Sequence, residues 1–251
     1  MSISLDTLKK TLNHDVGYAI HFKLNEAELG AIRAIIKSQW LYRMQLLVPE
    51  HIAALDAFGM ENYHRFAHLL DHSSSWPTPT RILSKRDVNV IKEMPFFNSF
   101  KKILGSIEIA DEAKFGWDHM LWRLVRPGNS DCASIHTDRW FWDLASDWKV
   151  PDYAHQRLNV WIAIHTVPGK NGLCVVPASQ TKKDWKWHSE KRYGQLKPVL
   201  DEDVDQLGLK LLPTEPGDIV IFNHDLLHGG APNLAETTRV SLEFTIFVPT
   251  T

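Results

Sequence analysis

The chain has 251 residues, a length that fits one large domain. Hydrophobic residues make up 44% and charged residues 23%, which is the balance of a globular protein and excludes disordered and fibrous classes. The formal charge of −2, without a strongly basic tail, argues against nucleic acid as the main partner. No apolar run approaches the roughly 20 residues that a membrane-spanning helix needs.

The N-terminal segment and the cysteine content indicate the compartment. The first ten residues contain no apolar core followed by a small-residue cleavage site, so we expect no signal peptide. Cys132 and Cys174 are too few for a disulfide framework and do not form a Cys-x-x-Cys pair. We therefore expect a soluble protein of the reducing cytoplasm, with neither nucleic acid nor a membrane as its main partner. The sequence predicts no oligomeric state.

Residues 1–116 have mostly helical periodicity. Leu5, Leu8 and Leu12 recur at the spacing of one helix face, and Asn25 before an acidic turn is typical of an N-cap. In chain order we predict a helix over 5–12, a strand over 17–22, helices over 26–36 and 49–70, a Ser/Pro/Thr-rich loop over 71–80, and a short helix over 96–104.

Residues 117–251 indicate β-structure, because runs rich in Val, Ile, Trp and Phe alternate with turns that contain Gly and Pro. The predicted strands cover 118–126, 133–137, 158–166, 172–177, 208–212, 218–223 and 238–248. Two longer segments, 139–156 and 178–207, are predicted as loops that carry function or cover a site. The whole chain, 1–251, is therefore predicted as a single domain, mainly β with α. In it the helices of 1–116 support an antiparallel barrel or jelly roll formed by 117–251.

His136 and Asp138 form a His-x-Asp pair at the end of a predicted strand. Residues two apart in an extended chain point the same way, so both side chains face one point inside a barrel. With a histidine from a distant strand they complete the two-His-one-carboxylate set that holds Fe(II) and leaves coordination positions open. The pair alone is weak evidence, since composition predicts roughly one or two such triplets by chance and His188-Ser189-Glu190 is another.

The candidate for the distal histidine is His228, which precedes Gly229 and Gly230. Arg239 lies eleven positions downstream and begins the last predicted strand, and no other histidine of the chain has an arginine at that spacing. A cosubstrate that chelates the metal through one end needs its other carboxylate held by a buried, permanently charged bidentate donor. An arginine suits that task.

Together these motifs resemble the phytanoyl-CoA dioxygenase-like family of Fe(II)/2-oxoglutarate oxygenases. The resemblance also includes the N-terminal helix–strand–helix order, Asn159-Val-Trp-Ile-Ala-Ile164, Asn171-Gly172 and Val175-Val-Pro-Ala-Ser179. The chain departs from the family pattern at Ala178 and Gln180, where Gly and His are usual, and at Gly230, where Ser or Thr is common.

The resemblance implies a double-stranded β-helix core of the jelly-roll or cupin-like type, with Fe(II) bound by His136, Asp138 and His228. The implied cosubstrates are 2-oxoglutarate and O2. Arg239 would bind the 5-carboxylate of 2-oxoglutarate, Trp161 would line that pocket, and Ser241, on the strand face of Arg239, would add a second donor. The implied reaction hydroxylates an unactivated C–H bond of a small metabolite or a carrier-linked acyl substrate and releases succinate and CO2.

The alternative is a non-redox or noncatalytic metal-binding jelly roll, which has no need of an arginine at the cosubstrate end, so Arg239 discriminates between the two classes. Halogenation is disfavoured, because a halide takes the position of the carboxylate ligand that Asp138 fills. Desaturation, epimerisation and ring formation stay open as reactions, and the identity of the substrate stays open too.

One aromatic residue of Arg139-Trp140-Phe141-Trp142 is expected to face the substrate. The histidines at 64, 68 and 72 are interpreted as ordinary solvated or hydrogen-bonded side chains.

Overall fold

Helices form most of the N-terminal part of the chain. The computed structural model describes residues 4–129, 131–145, 148–192 and 195–250. The helices are α1 (Leu5–Asn13), α2 (Glu26–Leu47), α3 (Ile52–Phe58), α4 (His72–Ser75), α5 (Lys85–Lys92), α6 (Pro95–Leu104) and α7 (Asp138–Leu144). Short 3-10 turns occupy Pro49–His51, Met60–Arg65, Ala67–Leu69, Thr78–Arg81, Ser179–Thr181 and Val204–Gln206.

Helix α2 begins where the sequence predicts and ends later. The Asn25 side-chain oxygen accepts a hydrogen bond from the Glu28 N–H at 2.9 Å, and the Glu28 carboxylate accepts one from the Asn25 N–H at 2.8 Å, which is a capping box. The helix continues past Ile36 because apolar residues recur at intervals of four through Trp40 and Met44, and both are buried in the core.

The predicted helix over 49–70 is wrong as a single element. Gly59 has a φ of 78°, in the left-handed region, and it ends α3 before the 3-10 turns that follow. The predicted loop over 71–80 contains α4 and most of a further 3-10 turn. Helix α5 was not predicted, although Ser84 caps it by accepting a hydrogen bond from the Asp87 N–H at 3.2 Å.

The strands form two antiparallel sheets and a hairpin. The strands are β1 (Tyr18–Lys23), β2 (Glu108–Ile109), β3 (Leu121–Val125), β4 (His155–His165), β5 (Leu173–Val175), β6 (Trp187–Arg192), β7 (Gln195–Leu200), β8 (Lys210–Leu211), β9 (Asp218–Asn223), β10 (His228–Gly230) and β11 (Arg239–Pro249). The main sheet has the order β1-β9-β4-β11-β2, with β3 also paired to β11. The smaller sheet has the order β10-β5-β8, and β6 pairs with β7.

Successive side chains of β4 and β11 point to opposite faces of the main sheet. Ile162 and Leu242 belong to the core shared with the helices, whereas Trp161 packs against Leu173 and Val175 of the smaller sheet. The inner face therefore closes onto the smaller sheet while helices cover the outer face. This arrangement confirms the predicted double-stranded β-helix core supported by N-terminal helices.

The boundary between the two parts of the chain is less sharp than their composition indicates. Strands β1 and β2 both come from residues 1–116, and they pair with β9 and β11. The N-terminal part therefore supplies strands as well as helices. Among the described residues, no helix is both long enough and apolar enough to cross a membrane.

One predicted strand and two predicted loops are corrected by the structure. The segment 133–137 is not a strand, because its extended pairing is limited to one bridge between His136 and His228. The two predicted loops contain regular structure, since α7 lies in 139–156 and the β6–β7 hairpin in 178–207. Residues 146–147 and 193–194 of those segments lie outside the described residues.

Candidate metal centre

Three side chains converge where β10 begins. His136 and His228 are held together by their backbones, since the N–H of each donates to the carbonyl oxygen of the other at 2.9 Å. Asp138 is the first residue of α7. One ligand atom from each of the three residues lies within 4.8 Å of the others. The structure thus brings together the predicted metal-ligand set, and the described residues show no second group of this kind.

Both histidines direct Nε2 towards the same point. Nδ1 of His136 lies 2.6 Å from the Ser134 carbonyl oxygen, and Nδ1 of His228 lies 2.9 Å from the Leu226 carbonyl oxygen. A carbonyl only accepts, so each Nδ1 carries the proton and each Nε2 has a free lone pair. The Asp138 carboxylate oxygens lie 3.7 Å from Nε2 of His136 and 3.2 Å from Nε2 of His228. Metal-binding histidines are usually oriented by such a bond from the second nitrogen, so this set fits a divalent metal.

The protonation states of the triad also suit a metal. Burial opposes ionisation of Asp138, but the interactions with His228 and His136 outweigh it and lower the pKa of Asp138 to about 2. Burial lowers the pKa of His228, although Asp138 opposes the shift. An ionised carboxylate and a neutral imidazole are the forms that bind metals.

Arg239 is a buried cation without a counter-ion. Its Nη1 donates to the Gly172 carbonyl oxygen, and its Nε is buried without a partner. Among the described residues no carboxylate forms an ion pair with it, because Glu243, which lies on the same strand, pairs with Arg123. Burial lowers the pKa of Arg239 to about 10, so it stays cationic at neutral pH. A buried unpaired charge is strongly unfavourable, so this environment fits a ligand that brings a carboxylate.

Gly230 makes the space that the guanidinium occupies. A Cβ at this position would lie 3.1 Å from Nη2 of Arg239 and 2.7 Å from Cβ of Cys132. Gly230 follows His228 by two residues in β10, a separation of about 6.6 Å along a strand. The Ser or Thr of the family pattern would therefore crowd the guanidinium and Cys132 as they are placed in this chain. The sequence alone did not show it.

Ser241 and Trp161 complete the inner wall. The Ser241 hydroxyl is buried without a partner in the described structure, and Ser241 lies two residues beyond Arg239 on the same strand face. Trp161 is buried in the apolar cluster between the sheets, opposite Glu243 in the β4–β11 pairing. The predicted cosubstrate residues therefore share one interior with the metal triad.

Of the aromatic residues at 140–142, Phe141 is the one that lies against the triad. Its ring lies 5.0 Å from the His136 ring, edge-on. Trp140 and Trp142 instead pack into two other aromatic clusters. The sequence could not separate these three residues, because α7 was not predicted. Lys197, whose ammonium lies 5.4 Å from the centre of the Phe141 ring, was missed because its segment was predicted as a loop.

Comparison with known proteins agrees with this geometry. A family model described as phytanoyl-CoA dioxygenase (PhyH) matches residues 50–241, which confirms the resemblance seen in the sequence. No curated protein sequence gives a significant match.

Solved structures share the fold at low sequence identity. The chain is similar to EvdO2 from Micromonospora carbonacea var. aurantiaca complexed with 2-oxoglutarate, with a TM-score of 0.59 and 17% identity over 96% of this chain and 89% of that chain. It is similar to the apoform of EctD from S. alaskensis, with a TM-score of 0.56 and 15% identity over 98% of this chain and 78% of that chain. It is also similar to the non-heme alpha ketoglutarate dependent carbocyclase SnoK from nogalamycin biosynthesis, with a TM-score of 0.53 and 13% identity over 99% and 87% of the two chains.

Proposed function

The chain belongs to the phytanoyl-CoA dioxygenase family, and from that premise we propose that it hydroxylates an unactivated C–H bond of a small metabolite or a carrier-linked acyl substrate. Its cofactors are those predicted from the sequence: Fe(II), 2-oxoglutarate and O2. One observation carries the proposal. The His136–Asp138–His228 face lies about two strand residues from a buried arginine that lacks a counter-ion.

The metal triad would hold Fe(II). His136 and His228 would bind it through Nε2 and Asp138 through a carboxylate oxygen, a ligand set that leaves positions open for a cosubstrate and oxygen. Bound there, Fe(II) supplies with 2-oxoglutarate and O2 the oxidation of a C–H bond, and the products of 2-oxoglutarate are succinate and CO2. The backbone bonds from both Nδ1 atoms fix the imidazole planes, so the ligands keep their geometry between turnovers.

The cosubstrate is oriented by the first residues of β11. The Arg239 guanidinium would present its planar fork to the distal carboxylate, and the Ser241 hydroxyl, which has no partner among the described residues, would donate a further hydrogen bond. Trp161 would supply an apolar wall that keeps water out of this pocket.

Hydroxylation is favoured over halogenation because Asp138 keeps the carboxylate position filled. The protein is proposed to act in the cytoplasm on a small-molecule substrate, without nucleic acid or membrane as a partner. Two free cysteines, Cys132 and Cys174, support the reducing compartment.

The test removes one carboxylate and keeps a matched control. Asp138→Ala is expected to lower Mn(II) affinity by at least about 100-fold and to abolish succinate production from 2-oxoglutarate, because a ligand is lost. Asp143→Ala removes an exposed carboxylate from the same helix and should change neither quantity. Unchanged metal binding or succinate production in Asp138→Ala would refute the assignment. Metal binding by the unsubstituted protein without 2-oxoglutarate turnover would favour the non-redox alternative.

A further inference from the structure

Three cationic side chains from three segments of the chain interact electrostatically with one another, and one of them lies over an aromatic ring that contacts the metal triad. Arg123 lies on β3, next to β11 in the main sheet. Arg81 ends a 3-10 turn, and its Nη1 lies 3.5 Å from the Trp122 carbonyl oxygen of the same β3 strand. Lys197 comes from β7, with its ammonium 5.4 Å from the centre of the Phe141 ring. We call Arg81, Arg123 and Lys197 the cation cluster.

Phe141 connects the cation cluster to the metal triad. Its ring contacts His136 on α7's side of the triad, with ring centres 5.0 Å apart. The hairpin that carries Lys197 is fixed to the same helix, because Trp187 of β6 stacks on Trp140 at 5.2 Å with only 14° between the ring planes. Lys197 is therefore held at a defined wall of the site and is half-buried there.

The cation cluster carries more positive than negative charge. Glu243 pairs with Arg123, but the Lys197 ammonium makes no hydrogen bond or ion pair with the described residues, and only the backbone of Lys197 is paired, within the hairpin. Burial lowers the pKa of Lys197, and the charges of Arg123 and Arg81 lower it further. Burial and the charge of Arg123 also lower the pKa of Arg81 to about 10, although Glu243 opposes the shift. Like charges gathered at a partly buried place destabilise the fold, so their presence points to an anion from outside the chain.

We propose that the cation cluster binds an oxyanion of the substrate, a carboxylate or a phosphate group, which makes the substrate an anionic small molecule. This rests on the proposed function in one respect: the bound molecule is the one whose C–H bond is oxidised. Arg81 and Arg123 supply the guanidinium nitrogens that are not already bonded to Trp76, Trp122 and Glu243, and Lys197 supplies a point charge from the hairpin side. The Phe141 ring covers the carbon skeleton between that anion and the metal. Arg239, the first residue of β11, belongs to the separate cosubstrate pocket.

The test measures binding without turnover. Protein loaded with Mn(II) and 2-oxoglutarate is titrated by calorimetry with benzoate and with phenyl phosphate, and benzamide serves as the uncharged counterpart of benzoate. Lys197→Gln removes a charge from the cation cluster. Lys191→Gln is the matched control, because it removes an exposed lysine from the other strand of the same hairpin.

We expect at least one anion to bind about tenfold or more tightly than benzamide, and Lys197→Gln to remove about tenfold of that affinity. Lys191→Gln should leave it unchanged. The tighter of the two probes distinguishes a carboxylate from a phosphate. The proposal is overturned if neither anion binds more tightly than benzamide, or if both variants lose affinity equally. It is also overturned if Lys197→Gln weakens 2-oxoglutarate by the same factor as the anion, because the cation cluster would then serve the cosubstrate.

Failure of the proposed function would be visible separately, as loss of Mn(II) or 2-oxoglutarate binding in the unsubstituted protein. The anion titration is then repeated without those ligands and decides the proposal in the same way.

A second measurement needs no ligand. The folded environment disfavours the charged form of Lys197 and lowers its pKa, so Lys197→Gln should raise the Tm of the ligand-free protein. An unchanged or lower Tm would show a structural role and overturn the argument.

Discussion

Replacing Arg239 by lysine separates charge from geometry in the cosubstrate pocket. Lysine keeps the positive charge but offers an ammonium in place of the planar fork. In the structure one guanidinium nitrogen is already used by the Gly172 carbonyl, and Nε has no partner. An ammonium cannot satisfy that carbonyl and also present two parallel donors to a carboxylate.

The expected loss follows from the number of bonds. A hydrogen bond to a charged group contributes about 1.5–3 kcal/mol. Losing one of two such bonds to the 2-oxoglutarate carboxylate should therefore weaken binding by about 10- to 100-fold, since each 1.4 kcal/mol corresponds to roughly tenfold. Metal affinity should hardly change, because Arg239 does not belong to the His136–Asp138–His228 set.

The assay is an anaerobic calorimetric titration of the Mn(II)-loaded protein with 2-oxoglutarate, with Mn(II) affinity measured separately. Arg157→Lys is the control, because Arg157 is another partly buried arginine, which lies over the Trp142 ring at 4.8 Å. A dissociation constant within about threefold of the unsubstituted protein would refute the reasoning for Arg239. A selective loss in Arg157→Lys would move the carboxylate anchor to Arg157.

Two further predictions concern backbone positions. In Gly230→Ala the new Cβ would lie 3.1 Å from Nη2 of Arg239, so the affinity for 2-oxoglutarate should fall while the affinity for Mn(II) is unchanged. Gly30→Ala is the control, because no atom lies within 4 Å of a Cβ at that position. Equal 2-oxoglutarate affinities in the two variants would contradict the steric argument. Ala178 has a φ of 63°, which is the left-handed region that favours glycine. Ala178→Gly should therefore raise the free energy of unfolding, measured by urea titration, by about 1 kcal/mol. A free energy of unfolding below that of the unsubstituted protein would contradict the left-handed backbone at this residue.

The sequence predicted the residues of the candidate site better than the elements that surround it. The His136-x-Asp138 pair and the distance between His228 and Arg239 are local patterns, readable without a fold. The Asn25 cap of α2 is equally local, and the structure contains it as a capping box. The end of α2 was missed only because the apolar spacing was not followed past Ile36.

The elements that were missed depend on contacts between distant parts of the chain. Exposed and partly buried side chains do not alternate regularly along the described parts of β6 and β7, so these strands lack the period-two pattern that marks a strand in sequence. Their position is set by the stacking of Trp187 on Trp140, which no local pattern predicts. The same holds for Lys197, whose neighbours Arg81 and Arg123 lie in the N-terminal part and on β3.

These missed elements change the expected behaviour of the site. Segments without regular structure would order around a substrate only at the expense of conformational entropy. Helix α7 and the β6–β7 hairpin instead pack against each other through a cluster that includes Trp140, Trp187 and Leu227. Because that packing is made between parts of the chain itself, it fixes the two elements that carry Phe141 and Lys197. If the substrate is the anion proposed above, its selectivity would come from the match to a fixed set of charges, and binding would not have to offset the entropy of ordering two loops.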